Sequence, residues 1–198
     1  MALLKSRPDC AVPDLQLGFR GVARDARPWW PGFGSAWRDA FFLLTVLLHP
    51  ASRGSIELAS ADPRQPVRIR ANYLAAPEDA QTLVAGIRIA RDVIRQSPLE
   101  SFRGDEIVPG PKAEDDAALL AYVRSAASTL HHAAGTCRMG VDEQSVVDAE
   151  LRVRGVEALR VVDASVMPDL VSGNINACVL MIAERAADLI RGRTHLQP

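Results

Sequence analysis

The chain has 198 residues, 48% of them hydrophobic and 24% charged, a composition typical of a globular protein. The formal net charge of -1 at pH 7 creates no basic field, which argues against nucleic acid or an anionic membrane surface as the partner. Cys10, Cys137 and Cys178 are odd in number and form no CxxC pair. Neither a disulfide framework nor a zinc ribbon is therefore predicted, and a reducing compartment, the cytoplasm, is expected.

Residues 1–36 are rich in Pro, Gly and Arg without clear periodicity, and they are predicted to be a loop-rich lead-in. Met1–Pro13 lacks the apolar region of a secretory signal. The Pro/Gly-rich stretch Arg27–Ser35 is typical of a loop. Its glycines, Gly32 and Gly34, have no third glycine at the required spacing, so they do not form a dinucleotide-binding fingerprint.

Three strand-like segments follow the lead-in. The apolar run Ala40–Leu48 is far shorter than the roughly 20 residues of a membrane-spanning helix. It is therefore predicted to be a buried strand or a short core helix, and no transmembrane segment is expected. Gly54–Ser60 and Pro66–Arg70 alternate apolar and polar residues around a turn-rich connection. This pattern predicts two antiparallel, half-buried strands.

Two helices are predicted in the middle of the chain. Glu78–Gln96 carries an apolar stripe with a 3.6-residue period, and the preceding Pro77 suits a helix start. A second stripe runs from Leu119 to Leu130 after the acidic residues Glu114–Asp116, which favour a helix N-terminus. The Pro/Gly-rich loop Val108–Lys112 separates the two helices.

The C-terminal part is predicted to hold short strands and a buried helix. Ser145–Asp148 and Glu150–Arg154 are typical of short strands around polar turns. The apolar residues of Val156–Asp163 predict a buried strand of the parallel type. Asn176–Arg191 is apolar on nearly every face as far as Ala183, which predicts a helix buried in a large core.

His131 and His132 are the first candidates for chemistry, because a histidine can act as a general base near neutral pH. On an extended backbone the two side chains would point in opposite directions, so only one is expected to face a given site. Gly135 and Gly140 nearby favour a tight backbone path. The alternatives are an ordinary core or surface histidine, zinc binding with Cys137, and a nucleophilic Cys137. No second Cys/His pair has ligand spacing, and no metal site is predicted.

Asn174 and Asn176 are the second pair of candidates, at the start of the C-terminal helix. Asn174 suits an N-cap, and it also suits a hydrogen bond to a substrate oxygen. The helix N-terminus adds free N–H groups and partial positive charge, which favour a ligand group that becomes anionic. Asp163 follows an apolar run. It is interpreted either as a plain turn residue or as an acid that binds a ligand at the end of a strand.

These pieces together resemble the glucose-methanol-choline (GMC) oxidoreductases, flavoenzymes that oxidise alcohols. The resemblance covers nearly the whole chain. In the first half it rests on Leu47–Ser55, Leu58–Pro63, Asn72–Leu74 and Pro77–Asp79. In the second half it rests on His132, Gly135–Gly140, Val161–Ser165 and Gly173–Asn176.

The resemblance implies site residues and a cofactor, FAD. The family's catalytic histidine corresponds to His132, and its second catalytic position, which is His or Asn, corresponds to Asn174. Asp163, Ala164, Ile175 and Asn176 match positions that usually contact FAD, often through the backbone. The implied chemistry is removal of the hydroxyl proton of an alcohol with hydride transfer to flavin N5. Ala133 stands where the family commonly has Pro.

The resemblance also implies that part of the family's architecture lies outside this sequence. The GxGxxG loop of the N-terminal Rossmann half is absent, so an N-terminal Rossmann FAD-binding segment is expected as a partner in cis or in trans. The predicted fold class is α+β: an antiparallel substrate-domain sheet with helices, plus the C-terminal strand and helix of an FAD-binding domain. Residues 37–144 are assigned to the substrate-binding domain and residues 145–198 to the segment that returns to the FAD-binding domain. The alternative function is a non-catalytic remnant or interaction module on the same scaffold that does not bind FAD alone. A homo-oligomer is kept as a further partner.

Overall fold

The computed structural model describes residues 1–23, 26 and 39–193. The chain divides into two compact units. The first unit comprises residues 1–52 and 74–127, and the second comprises residues 53–73 and 128–198. The predicted loop Arg27–Ser35 and the predicted domain boundary at residue 37 lie outside the described residues. The assignment of residues 37–144 and 145–198 to a substrate domain and a flavin-domain segment stays a prediction.

The first unit contains a three-stranded antiparallel sheet in the order β1-β2-β3. Its strands are β1 (Ala2–Leu4), β2 (Leu15–Arg20) and β3 (Phe42–Leu47). Of the two alternatives predicted for Ala40–Leu48, the strand is confirmed, although β3 is half-buried and not buried. The prediction of a loop for residues 1–36 is wrong at β1 and β2. The signal missed was the alternation in Leu15-Gln-Leu17, where Leu15 and Leu17 are 0% and 6% exposed because they face the helical layer of this unit.

Two helices pack in this unit, α1 (Pro77–Ile94) and α2 (Asp116–Ala126). Both confirm the predicted stripes, although α2 ends before Leu130. Asp115 caps α2 by accepting a hydrogen bond from the Ala118 N–H at 2.7 Å. A short 3₁₀ helix, Ser97–Phe102, was not predicted. The helical core is formed by Ala80, Val84, Ala113, Leu119 and Val123.

Asp79 joins the start of α1 to the segment that follows β3. Its side chain is almost fully buried, with 2% of the residue exposed. One carboxylate oxygen accepts the Ala51 N–H at 2.7 Å and the other accepts the Ser52 N–H at 2.9 Å. A buried carboxylate requires such partners, because burial removes its hydration. Two of the stretches that carry the family resemblance, Leu47–Ser55 and Pro77–Asp79, are thus held together by one side chain.

The second unit contains a two-stranded antiparallel ribbon, β4 (Ser55–Glu57) and β5 (Arg68–Arg70). The pairing confirms the predicted hairpin of strands. The predicted half-burial is wrong, since Ile56 and Ile69 are 50% and 69% exposed. In this chain no further strand extends the ribbon among the described residues, so its apolar side chains stay accessible. Asn72 closes the ribbon by donating its amide to the Arg53 carbonyl at 2.9 Å.

The rest of the second unit is built from turns and the helix α3 (Asn176–Arg191). Isolated bridges join Met139 to Val147, Val147 to Val153, and Arg152 to Arg160. The predicted parallel-type strand Val156–Asp163 is wrong. Ala158 has a left-handed φ of 57°, which interrupts an extended run. Only its last residues, Val161 and Val162, pack against the core.

The helix α3 buries one face only. Ile182 and Ala186 are 7% and 1% exposed, whereas Leu180, Met181 and Ile190 are 60%, 60% and 62% exposed. The prediction of burial on all sides is therefore wrong for this chain. Gly192 ends the helix in a left-handed conformation with φ 64°, as is usual at a helix C-terminus. None of the helices described is long and apolar enough to cross a membrane.

Gly86 provides a test of the packing between α1 and the sheet. A Cβ atom there would lie 2.3 Å from Thr45 Cγ2 and 3.3 Å from the Leu15 methyl groups. Ala stabilises a helix by about 0.5–1 kcal/mol relative to Gly, but overpacking costs about 1–3 kcal/mol. We therefore expect Gly86→Ala to lower the free energy of unfolding, measured by urea denaturation.

Thr45→Ser supplies the control, because it removes the methyl group that the new Cβ would meet. The double variant Thr45→Ser, Gly86→Ala should lose less stability than the sum of the two single changes. Full additivity of the two effects would contradict the proposed contact.

Candidate active site

The His132 segment begins with a left-handed turn. His131 has φ 62°, so the extended backbone on which the two histidines were expected to diverge is not present. The His131 N–H donates a hydrogen bond to Thr129 Oγ1 at 2.9 Å. His131 is exposed and His132 is half-buried. The structure therefore distinguishes the two histidines by burial, and the catalytic role that the resemblance implied for His132 stays a prediction.

The Gly135 turn brings the segment after His132 against residues 165–167. The Cys137 N–H donates to the Ser165 carbonyl at 2.9 Å, and the Met139 N–H donates to the Val166 carbonyl at 2.8 Å. Gly135 has φ 88°, and a Cβ atom there would lie 3.4 Å from the Met167 carbonyl oxygen. A glycine is required because the backbone conformation disfavours a side chain.

Asp163 and Ala164 lie at the surface end of this pairing. Asp163 is exposed and starts a single 3₁₀ turn, Ala164–Val166. Its carboxylate folds back to accept the Ser165 N–H at 2.7 Å. Val166 and Met167, the next residues, are 0% and 5% exposed. The plain-turn interpretation therefore describes the Asp163 side chain, and the Asp163 carbonyl accepts the Val166 N–H at 3.3 Å within the same turn.

The start of α3 presents Asn174 and Asn176 to solvent, while Ile175 between them is 8% exposed. The predicted N-cap role of Asn174 is wrong. The N-cap position is Ile175, and no side chain caps the helix. The first helical hydrogen bond runs from the Val179 N–H to the Ile175 carbonyl at 3.0 Å. The N–H groups of the first turn consequently have no partner within the helix.

One hydrophobic core holds all these segments. Val147, Leu151, Val166, Met167, Ile175, Ile182 and Ala186 form its buried part. Ala134 and Ala164 pack against it. His132 and Asn174 are thus each within two residues of a side chain in the same core. No hydrogen bond joins His132 to Asn174 within the part of the chain that is described.

An open groove of about 440 Å³ lies beside the Gly135 turn, a feature that the sequence analysis missed. The residues that line it are Gly54, Ser55, Ile56, Gly135, Thr136 and Cys137. A Cβ atom on Gly54 would lie 2.3 Å from the Arg70 carbonyl oxygen, so this position requires glycine. Gly54 next to a predicted strand was the available signal, since a glycine there often marks a close backbone approach. Among the described residues, no three His, Cys, Asp or Glu side chains are grouped to hold a metal ion.

An ion pair stabilises the turn that follows Gly140. Arg138 donates to both carboxylate oxygens of Asp142, at 2.9 and 2.6 Å. The hydrogen bond from Arg138 is the main cause that lowers the pKa of Asp142 from 3.8 to about 2. Bidentate pairs of this kind fix geometry as well as charge. The Ser145 N–H and hydroxyl both donate to the Asp142 carbonyl, which closes the turn.

Comparison with known proteins defines the class. The C-terminal model of the GMC oxidoreductases matches residues 50–183. The chain belongs to the GMC oxidoreductase family and corresponds to a C-terminal portion of it. Oxygen-dependent choline dehydrogenase of Serratia proteamaculans (strain 568) is 42% identical over 193 residues, which are 98% of this chain and 34% of the relative. The chain thus spans about a third of the length of the curated relatives it matches.

Solved structures give the same result for the fold. Pyridoxine 4-oxidase from Mesorbium loti aligns with a TM-score of 0.81 and 32% identity, over 93% of this chain and 35% of its own. A fungal aryl-alcohol oxidase aligns with a TM-score of 0.71 and 31% identity, over 90% and 28% of the two chains. Formate oxidase of Aspergillus oryzae RIB40, solved to study FAD modification, aligns with a TM-score of 0.76 and 27% identity, over 92% and 32%. The mixed helix and strand architecture with small antiparallel sheets is therefore that of the family.

Gly135→Ala tests the tight path after His132. A left-handed conformation costs an alanine about 1–2 kcal/mol more than a glycine, so we expect a loss of this size in the free energy of unfolding. Gly173→Ala is the matched control, because Gly173 has no left-handed φ and no neighbour within 4 Å of an added Cβ. Equal effects of the two substitutions on urea denaturation would contradict this explanation.

The Arg138–Asp142 pair predicts a pH dependence. Because the pKa of Asp142 is lowered, its contribution to stability is fully present above pH 3.8 and is lost as the pH falls through about 2. We expect a carbon-detected NMR titration of Asp142 to have its midpoint near 2, and Arg138→Gln to return it toward 3.8. An unchanged midpoint in this variant would show that Arg138 is not the cause.

Proposed function

We propose that this chain supplies the catalytic histidine and asparagine for FAD-dependent oxidation of an alcohol to a carbonyl compound, as the C-terminal part of a GMC-type oxidoreductase. The observation that carries the proposal is the common core beneath His132 and Asn174. Ala134 and Ile175 pack in it, so both candidate residues extend from one rigid support. Membership of the GMC family supports the same chemistry.

His132 is the proposed general base. His132 is half-buried, whereas its neighbours His131 and Ala133 are exposed, so its imidazole would lie at the edge of the core, within reach of a ligand. One ring nitrogen would accept the hydroxyl proton of the substrate while the other remains available to a hydrogen-bond partner. A positioned base of this kind contributes about 10²- to 10⁴-fold to the rate.

Asn174 is the proposed second catalytic residue. It is exposed, and with Ile175 as the N-cap its amide does not cap α3. The carboxamide offers both a donor and an acceptor. It would orient the substrate oxygen and stabilise negative charge as the proton leaves.

The residues at the start of α3 fit the pyrimidine edge of a flavin. The first-turn N–H groups have no side-chain cap, and such groups favour an acceptor that carries negative charge. Asp163, Ala164, Ile175 and Asn176 are the proposed contacts to FAD. Ile175 would contribute through its backbone because its side chain is buried. When bound, FAD supplies the hydride acceptor, flavin N5.

The proposed partners are a small-molecule alcohol and an N-terminal Rossmann FAD-binding segment, in cis or in trans. The choline dehydrogenases and the aryl-alcohol oxidase among the similar proteins support an alcohol substrate. The share of these relatives that the chain spans, about a third, is consistent with such a segment. A cytoplasmic location is proposed from the three free thiols of Cys10, Cys137 and Cys178.

A chimera provides the test. The 198-residue chain replaces the matching C-terminal part of the Serratia proteamaculans choline dehydrogenase, and a panel of small alcohols that includes choline is assayed. We expect His132→Ala to lower kcat by about 10²- to 10⁴-fold while the visible flavin absorption of the purified protein is retained. His131→Asn is the matched control and should keep the parent kcat.

The outcomes separate the alternatives. Turnover retained in His132→Ala would show that His132 is not the base. A colourless chimera, or a flavin-loaded one that oxidises none of the alcohols, would favour a non-catalytic module on the same scaffold. Loss of kcat in Asn174→Ala with flavin still bound would support the second assignment.

A further inference from the structure

We propose that Thr129 and His131 form a positioning element that sets the direction of the His132 side chain. This inference rests on the proposed role of His132 as the base. Both residues lie in the same compact unit as His132. Neither is a candidate for contact with substrate or flavin, so they would act through the residue that follows them.

The first observation is the backbone conformation of His131. A φ of 62° is uncommon for a residue with a Cβ atom, although His adopts it more often than most residues. A left-handed residue reverses the local path of the chain. The residue after it therefore faces a direction that an extended or helical backbone would not give. The change from the exposed His131 to the half-buried His132 occurs at this point.

The second observation is the hydrogen bond that fixes the peptide group before His131. Thr129 Oγ1 accepts the His131 N–H at 2.9 Å, which is ordinary hydrogen-bond geometry. Sparsely populated backbone conformations persist when surrounding contacts impose them. Here the hydroxyl of Thr129 fixes the peptide group from which the left-handed residue departs.

The third observation is the fixed point on the other side of His132. Gly135, Cys137 and Met139 are tied to residues 165–167 by a close backbone approach and by two hydrogen bonds. His132 lies between this fixed segment and the Thr129–His131 turn. A change at the turn would therefore be taken up by His132 and the two residues after it, because the segment from Gly135 onward is held in place.

The hydroxyl of Thr129 is tested first. Thr129→Val keeps the shape of the side chain and removes the acceptor, whereas Thr129→Ser keeps the acceptor. In the flavin-loaded chimera we expect Thr129→Val to lower kcat on the order of 10²-fold, as a 1 Å misplacement does, with little change in KM. The separate variant Thr129→Ser should keep the parent kcat, because it retains the hydroxyl acceptor.

The conformation of His131 is tested second. His131→Gly and His131→Asn accept a left-handed φ, so both should keep the parent kcat, although Gly removes the whole side chain. His131→Val resists this φ because it is β-branched, so it should lose activity like Thr129→Val. A chemical role of the His131 ring would give a different ranking of kcat, because His131→Asn and His131→Gly would then be inactive as well.

A measurement on the 198-residue chain separates this inference from the proposed function. NMR reports amide exchange at His131 and the ring resonances of His132 without any flavin. We expect faster exchange and shifted His132 ring signals in Thr129→Val, and parent-like values in Thr129→Ser and His131→Asn. Unchanged His132 signals in Thr129→Val, or equal behaviour of His131→Val and His131→Asn, would overturn the inference. Absence of turnover in the parent chimera would count against the proposed function alone.

Discussion

The backbone pairing of residues 137–139 with residues 165–166 is the constraint on which the candidate site depends. Its two hydrogen bonds, at 2.9 and 2.8 Å, join segments that are far apart in sequence. Backbone N–H and C=O groups that approach a core must be paired, and Val166 directly beneath is fully buried. The pairing therefore brings the turn after His132 onto the core that also holds Ile175. The left-handed φ of Gly135 is favourable for glycine and strained for other residues, so the site and the fold share one requirement.

Apolar surface in the second unit is consistent with the proposed flavin-binding partner. Leu180, Met181 and Ile190 on α3 are at least 60% exposed, and Leu58 and Ile69 beside the ribbon are 81% and 69% exposed. Large apolar side chains that are exposed in this way are the kind that a partner segment would cover. The proteins that share this fold continue over about three times the matched length. A covering segment would bury the side chains that the periodicity of α3 predicted to be internal.

Local patterns predicted some elements and failed at others for identifiable reasons. The helices α1 and α2 follow from their 3.6-residue stripes and acidic first turns, because each requires only one apolar face. The strands β1 and β2 were missed because β1 is three residues long and β2 contains Gly18, a residue with low strand propensity. The run Val156–Asp163 has the composition of a strand, but Ala158 is left-handed, a choice made by the surrounding turns. The N-cap assigned to Asn174 failed because tertiary packing of Ile175 sets where the helix begins.

The amino-acid sequence by itself determined the chemical identity of the candidate groups. A histidine before a glycine turn and two asparagines before an apolar helix are readable because residue type and spacing carry that information. Only the tertiary structure decided which histidine is half-buried, that no side chain caps α3, and that Gly54 and Gly135 line one groove. The groove depends on residues 54–56 lying beside residues 135–137, and the other two features depend on packing and backbone pairing across long sequence separations. Local propensity acts over a few residues, so it does not determine features that depend on distant parts of the chain.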